Sequence, residues 1–139
     1  MDAELRVARF GFPGPLRDQL VSAILDGTKT STTGLVESFV RHGRPLPEVG
    51  EREQVVDSAD RPVAVIETTE VRVGTKGDVD AAFAVEEGEG FRTVDDWWAA
   101  HVAYFTSPQM GEDLGDPAVD VDDTTRLVLL RFRLVKRLD

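Results

Sequence analysis

Three segments that are predominantly apolar, or that alternate apolar and polar residues, constrain the fold of this chain most strongly. Segments 52–57 and 62–73 predict two strands joined by the turn-forming residues 58–61, and segment 126–135 predicts a closing strand. The regular crossover helices that a doubly wound parallel sheet needs between its strands do not occur in this order. The sequence therefore predicts an α+β fold, a small and mostly antiparallel β-barrel or curled sheet with helices at its rim.

Helical signals account for much of the remaining chain. Segment 15–25 places apolar residues at helical spacing, and segment 80–87 predicts a short helix that ends at Gly88. In segment 93–105, Thr93 suits the N-cap position, and two aspartates in the first turn favour the positive end of the helix dipole. Weaker patterns predict a short strand or arm at 5–10, a short helix at 34–40 and an acidic loop at 113–123.

Composition narrows the class of protein. The 139 residues suit one domain, and the absence of cysteine with only two histidines excludes disulfides and thiol catalysis and disfavours a metal site. The sequence has no apolar run of bilayer length and no secretion signal at its N-terminus, so we expect a cytoplasmic protein without membrane contact. Phosphate-binding and dinucleotide-binding glycine motifs do not occur either, and we expect no cofactor and no metal.

The charge of the chain limits its partners. Its 16 basic and 26 acidic residues give a net charge of −10. A protein that binds long nucleic acid through its phosphates needs a basic face, so we expect weak or no binding to long nucleic acid. A short or neutral ligand is compatible with this charge.

Segment 27–33 combines one lysine amine with several hydroxyl groups directly after the first predicted helix. We expect this cluster in an exposed loop, where functional side chains concentrate and can converge on a ligand. The same residues also fit a polar turn that enters a strand, since threonine favours strands and serine favours turns.

Six landmarks that occur in a fixed order resemble the ASCH domain family, in particular its larger bacterial members with an EGEG segment. They are GTKTST at 27–32, LPEVGE at 46–51, PVAVIE at 62–67, FAVEEGEG at 83–90, Trp97 with His101, Tyr104 and Phe105, and FRLV at 132–135. The resemblance covers nearly the whole chain and implies a single ASCH domain over residues 1–139. It also implies a PUA-like β-barrel whose cleft faces RNA or nucleoside-type ligands. Characterised members of the family include an amidohydrolase that acts on N4-acetylcytidine and a ribonuclease.

The amidohydrolase residues of the family fall on Lys29, Thr32 and Glu87. The resemblance implies that Thr32 is the nucleophile, that Lys29 activates it and that Glu87 acts as acid and base. A threonine hydroxyl is a weak nucleophile until a base takes its proton, and a lysine amine serves as base only in its neutral form, which burial favours. The structural alternatives are an ion pair between Lys29 and Glu87, a plain strand position for Thr32 and a solvated helix end for Glu87.

Five further residues are candidate ligand contacts: Ser31, Arg9, Glu67, Trp98 and His101. Ser31 lies within the polar cluster, Arg9 in an N-terminal arm over the cleft, and Glu67 shares a strand face with apolar residues. Trp98 offers a stacking face where relatives usually carry arginine, although paired tryptophans in a helix also fit a core. His101 suits a proton shuttle, and equally a core-edge histidine bonded to a backbone carbonyl.

Departures from the family pattern favour one function over another. The missing arginine argues against phosphate binding and hence against a ribonuclease, and Phe91 and Leu130 stand where relatives often carry acidic residues. We therefore predict hydrolysis of the amide of an N4-acylated cytidine, with a nucleoside or short RNA as ligand. An RNA-binding or RNA-cleaving domain that uses the same cleft, and a regulatory binding module without catalysis, are the alternatives.

Overall fold

A computed structural model of the chain describes residues 5–138. The strands are β1 (Arg6–Ala8), β2 (Ser31–Leu35), β3 (Arg52–Val56), β4 (Pro62–Gly74) and β5 (Leu127–Arg137). The helices are α1 (Pro15–Asp26), α2 (Val36–Arg41), α3 (Ala81–Glu86), α4 (Val94–Phe105) and α5 (Pro108–Leu114), with a short 3-10 turn at Lys76–Asp78.

The strands form one sheet in the order β1-β3-β4-β5-β2. Every neighbouring pair is antiparallel except β1 and β3, which run parallel. Register shifts interrupt the pairing of β4 with both of its neighbours, and such irregularities bend and twist a sheet. The result is a half-barrel with helices around it, which confirms the predicted α+β fold.

Local signals set most helix ends where the sequence predicts them. The Thr93 side chain accepts a hydrogen bond from the Asp96 backbone N–H, and Asp80 caps α3 in the same way. Helix α5 was not predicted, and its C-terminal residues occupy the start of the expected acidic loop. It contains only seven residues, including a glycine, and therefore carries little of the periodicity that marks a helix.

The expectation of an exposed loop at 27–33 is wrong. Ser31–Leu35 is strand β2, which pairs with β5 along its whole length, and Lys29 and Ser31 are both buried. The alternative in which the cluster enters a strand describes this part of the chain. Contacts with β5 and with the C-terminal end of α3 bury Lys29 and Ser31, whereas Gly27 and Thr28 remain exposed.

Two groups of buried side chains lie on opposite faces of the sheet. One surrounds Trp97 and Phe83 and takes in Leu35 and Leu129, and the other surrounds Ile24, Ile66 and Phe132. Side chains alternate across a strand, so Thr32 and its partner Leu130 face away from Leu35 and Leu129. No helix within residues 5–138 has the length and apolar composition to cross a bilayer.

Candidate active site

A cavity of about 670 Å³ opens on the inner face of the half-barrel. Seven aromatic side chains contribute to its walls: Phe10, Phe12, Phe39, Phe91, Tyr104, Phe105 and Phe132. Polar and charged side chains share the lining with these and other apolar residues, and they include Lys29, Thr32, Glu87 and His101. A concave apolar site with a few convergent polar groups is the usual form of a small-molecule site.

The Lys29 side chain is buried at this site and uses all three of its donors. Its Nζ donates to the Ser31 carbonyl at 2.9 Å, to the Glu87 carbonyl at 3.1 Å and to Glu87 Oε1 at 3.2 Å. Lys29 and Glu87 are each 2% exposed. An ammonium group buried to this degree requires such compensation, since an unpaired buried charge is strongly unfavourable.

The Glu87 carboxylate is held by four donors. Besides Lys29 on Oε1, its Oε2 accepts from Thr33 Oγ1 at 2.7 Å, from Trp97 Nε1 at 2.7 Å and from His101 Nε2 at 3.1 Å. Burial alone raises the pKa of Glu87, but the Lys29 ammonium and the bond from His101 outweigh it and lower that pKa to about 2. Glu87 is therefore ionised at neutral pH.

His101 joins Glu87 to helix α4. Its Nδ1 lies 2.8 Å from the Trp97 carbonyl, and its Nε2 faces the Glu87 carboxylate. A carbonyl and a carboxylate both accept, so the ring satisfies both contacts only when it is doubly protonated. Burial opposes that charge, but the hydrogen bond to Glu87, the charge of Glu87 and the bond to the Trp97 carbonyl together outweigh burial and raise the pKa of His101.

Backbone contacts hold the C-terminal end of α3 against the start of β2. The Thr30 N–H donates to the Glu86 carbonyl at 2.7 Å, and Ser31 Oγ donates to the Phe83 carbonyl at 2.9 Å. Gly88 lies so close to Lys29 that a Cβ there would stand 2.8 Å from Lys29 Cα. These contacts explain why a glycine follows Glu87 and why the lysine and the glutamate meet.

Thr32 reaches the cavity from strand β2. It pairs with Leu130 of β5, and both residues line the cavity. The neighbouring Thr33 hydroxyl is bonded to Glu87, whereas the Thr32 hydroxyl has no hydrogen-bond partner within residues 5–138. Among the expected catalytic residues, the structure thus brings Lys29 and Glu87 into direct contact and places Thr32 on the wall of the same cavity.

The expected ligand contacts divide between the cavity and other places. Arg9 and His101 line the cavity, and Arg9 also lies 3.4 Å from Asp60. Ser31 is fully buried and its hydroxyl is bonded to the backbone of α3, so its contact is with the protein. Trp98 is a core residue that stacks on Trp97 with ring centroids 5.8 Å apart, and it does not line the cavity.

Glu67 also lies away from the cavity. It pairs with Arg52 at 3.1 Å and with Arg133 at 3.3 Å on the outer face of the sheet. The apolar residues beside it do not reveal this, because Val65 and Ile66 are both buried although they point to opposite faces. A buried carboxylate does exist on the inner face, and it belongs to Glu53 instead.

The polar cavity residues that the sequence analysis did not single out include Thr33, Glu53 and Glu89. Glu89 lies within the EGEG segment, and burial raises its pKa, although Lys29 nearby lowers it in part. Glu53 precedes the fully buried Val55 by two positions, and this spacing is a strand signal for an inward-facing side chain.

The chain is similar to solved structures of known family. The solved ASCH domain of Lactobacillus crispatus is 28% identical with a TM-score of 0.71, and the match covers 86% of this chain and 72% of that one. A crystal structure of an Enterococcus faecalis protein is 26% identical with a TM-score of 0.80, covering 95% and 77% of the two chains. No functionally curated protein matches the sequence. The model of the ASCH domain family matches residues 7–136, and the chain therefore belongs to the ASCH domain family.

Proposed function

We propose that this ASCH domain hydrolyses the amide of an N4-acylated cytidine in a metal-independent reaction. The observation that carries the proposal is the Thr32 hydroxyl, which has no hydrogen-bond partner within residues 5–138, on a cavity that also holds the buried Lys29–Glu87 pair. The aromatic walls suit a planar base, since bases stack on aromatic rings. The cavity volume of about 670 Å³ lies within the range of small-ligand sites.

The Lys29–Glu87 pair supplies the proton transfers of the proposed reaction. A proton that moves from Lys29 to Glu87 along their 3.2 Å hydrogen bond leaves a neutral amine and a neutral carboxylic acid. The amine then takes the proton of Thr32 as its Oγ attacks the amide carbonyl, and Glu87 protonates the departing N4. The C–N bond breaks, cytidine leaves, and the acyl group remains as an ester on Thr32.

Water completes the cycle with the same two groups. The Glu87 carboxylate takes a proton from water as the water oxygen attacks the ester carbonyl. Lys29 returns a proton to the Thr32 oxygen as the carboxylic acid leaves, and one proton transfer from Glu87 to Lys29 restores the ion pair. Lys29 is well placed for this role, because its Nζ is bonded to the carbonyl of the residue that precedes Thr32.

A binding module without catalysis is the second candidate function. The observation that favours it is the saturation of the ion pair, in which Lys29 has three acceptors and Glu87 has four donors. A pair so fully bonded also fits a purely structural role beneath a ligand site. The two candidates differ in turnover and not in the fold.

A turnover screen tests the proposal. Purified protein is incubated with N4-acylated cytidines, and the release of cytidine is measured for wild type, Thr32→Ser and Thr32→Val. We expect Thr32→Ser to retain part of the activity and Thr32→Val to lose it by roughly a thousandfold or more. Thr28→Val is the matched control, because the Thr28 hydroxyl is exposed and bonded to Asp26 outside the cavity.

Two results would separate the candidates. Ligand-induced thermal stabilisation by N4-acylated cytidines without release of cytidine would support the binding module. Equal turnover by wild type and Thr32→Val would remove Thr32 as nucleophile.

Binding of long RNA is expected to be weak. The net charge of −10 leaves few cations for phosphate neutralisation. Fluorescence anisotropy with single-stranded RNA at physiological salt measures this directly. Nanomolar affinity for RNA of arbitrary sequence would contradict the expectation and favour an RNA-directed function.

A further inference from the structure

A second glutamate of the EGEG segment faces the cavity two residues after Glu87. Glu87, Glu89 and Phe91 all line the cavity, whereas the two glycines between them do not. Side chains at every second position therefore share one side of this segment. Gly88 packs against the Lys29 backbone, since a Cβ at residue 88 would stand 2.8 Å from Lys29 Cα. This contact brings Glu89 to the part of the cavity that holds the Lys29–Glu87 pair.

The Glu89 carboxyl group is available to a ligand. Within residues 5–138 its side chain forms no hydrogen bond and no ion pair, and neither oxygen is a fully buried atom that lacks a partner. The side chain is half-buried in the cavity wall, so these oxygens remain in contact with the cavity. Glu87 differs, because it is 2% exposed and four protein donors contact its carboxylate.

The charged groups that act on Glu89 are Lys29, Glu87 and His101. Burial raises the pKa of Glu89, the two cations oppose part of the rise, and the Glu87 carboxylate adds to it. A carboxyl group that holds its proton offers one donor beside one acceptor, whereas an ionised carboxylate offers acceptors only. The protonation state of Glu89 therefore decides which ligand edge it can match.

We propose that Glu89 determines base specificity by pairing its carboxyl group with N3 and N4 of the cytosine ring. This role rests on the proposed function, in which an N4-acylated cytidine occupies the cavity. When the N4–H lies on the N3 side, the base presents an acceptor beside a donor, and base-directed enzymes commonly bind this edge. The Glu89 O–H donates to N3, and its carbonyl oxygen accepts from N4–H. The acyl carbonyl then points away from Glu89 and is available to Thr32.

The same contact favours release of the base. As the C–N bond of the proposed reaction breaks, negative charge develops on N4 and is shared with N3 by conjugation through C4. A donor aimed at charge that develops in the transition state lowers the barrier, and the Glu89 O–H is such a donor at N3. Glu89 therefore selects the base and stabilises its departure, while Glu87 supplies the proton to N4.

Calorimetric titration with cytidine and 3-deazacytidine tests this role independently of turnover. In 3-deazacytidine a C–H group replaces N3, so the two ligands differ in the acceptor that Glu89 contacts. Each is titrated at pH 5 and pH 8 into wild type, Glu89→Gln, Glu89→Leu and Glu86→Gln. Glutamine carries a donor beside an acceptor at every pH, whereas leucine carries neither. Glu86 is the matched control, because it pairs with Arg131 at 2.7 Å and does not line the cavity.

Glu89 holds its proton below its raised pKa and loses it above, so the preference of wild type should depend on pH. We expect wild type and Glu86→Gln to prefer cytidine by roughly tenfold or more at pH 5 and by about twofold or less at pH 8. Glu89→Gln should keep the preference at both pH values, and Glu89→Leu should lack it at both. A pH effect due to His101 or to the base itself would persist in Glu89→Gln.

Several results would overturn this role of Glu89. They are a preference that survives in Glu89→Leu, a preference lost in Glu89→Gln, a wild-type preference that does not change with pH, and no binding of cytidine. Release of cytidine from N4-acetylcytidine together with an unchanged preference in Glu89→Leu would remove this role and leave the proposed function standing. The expected pattern without any turnover would support base recognition by Glu89 and remove the hydrolysis.

Discussion

Glu87 and Glu53 are buried carboxylates of one cavity, and their surroundings are opposite. Four protein donors contact Glu87; burial raises its pKa, but the charge of Lys29, together with His101 and Trp97, outweighs burial and lowers that pKa to about 2. Glu53 receives none within the described chain, and burial raises its pKa, although Arg6 opposes part of the rise. A glutamate side chain is therefore ionised and enclosed by protein donors at one end of the cavity, whereas at the other it faces the cavity without a protein donor within residues 5–138.

This difference separates a buried carboxylate that protein contacts stabilise from one that the fold desolvates without supplying a hydrogen bond. The Lys29–Glu87 end is built by the chain itself, so removing one partner leaves an uncompensated buried charge. The Glu53 end reduces stability in the free protein, because its carboxylate is desolvated without a hydrogen bond in return. Mutations at the first end should therefore destabilise the protein, and a charge-removing mutation at the second should stabilise it.

Lys29→Met gives the largest expected effect on stability. It leaves the buried Glu87 carboxylate without its cation, so we expect the free energy of unfolding to fall by about 3–5 kcal/mol in urea titrations. Lys76→Met is the control, since Lys76 makes only long surface ion pairs, at 3.9 and 4.0 Å, and should cost about 1 kcal/mol or less. Equal losses in the two variants would show that the buried pair does not stabilise the fold.

Gly88→Ala tests how tightly the chain is packed around the Lys29–Glu87 pair. Gly88 has φ +74°, and an added Cβ would stand 2.8 Å from the Lys29 backbone. We expect a loss of about 2–4 kcal/mol from the left-handed backbone and the overpacking together. Gly90→Ala isolates the backbone part, because Gly90 has φ +88° with no atom near its added Cβ, and should cost about 1–2 kcal/mol. Equal melting-temperature shifts in the two variants would mean that the backbone at Lys29 moves aside for the added Cβ at little cost.

The sequence predicted strands β3, β4 and β5 and most helix ends because their signals are local, whereas β2 lies mostly in the segment that was expected to be an exposed loop. Alternation marks β3 and β4, and the Thr93 cap marks the start of α4. Lys29 and Glu87 are different, since 58 residues separate them and no local pattern relates one to the other. The polar cluster drew attention to Lys29, but Glu87 became a candidate only through the resemblance to a family, and the contact between the two depends on how α3 packs against β2.

Burial was harder to predict than secondary structure. The polar composition of segment 27–33 suggested exposure, but Ser31 pairs with the core strand β5 and Lys29 is enclosed by its contacts with Glu87, so both are buried. Glu67 was selected as an inward carboxylate on a strand whose two faces are both apolar, so alternation did not reveal which face lines the cavity. Glu53 was no easier to place, because the adjacent Val55 and Val56 are both apolar and both buried, and it was treated as part of an ordinary strand.

Glu53→Gln has the smallest expected effect on stability, and its sign is opposite to the others. The folded pKa of Glu53 is raised above its ordinary value of 4.5, so its contribution to stability is full below 4.5 and is lost as pH rises through the folded value. Glutamine cannot ionise, and we therefore expect Glu53→Gln to be more stable than wild type at pH 7 by on the order of 1 kcal/mol. The advantage should vanish at pH 4, where Glu53 is protonated while Glu87, with a pKa of about 2, remains ionised. Urea titrations at both pH values measure this, with Glu51→Gln as the control that gains nothing because Glu51 is paired with Arg6. A Glu53→Gln variant less stable than wild type at pH 7 would mean that the protein itself satisfies this carboxylate, and the contrast between the two ends of the cavity would fail.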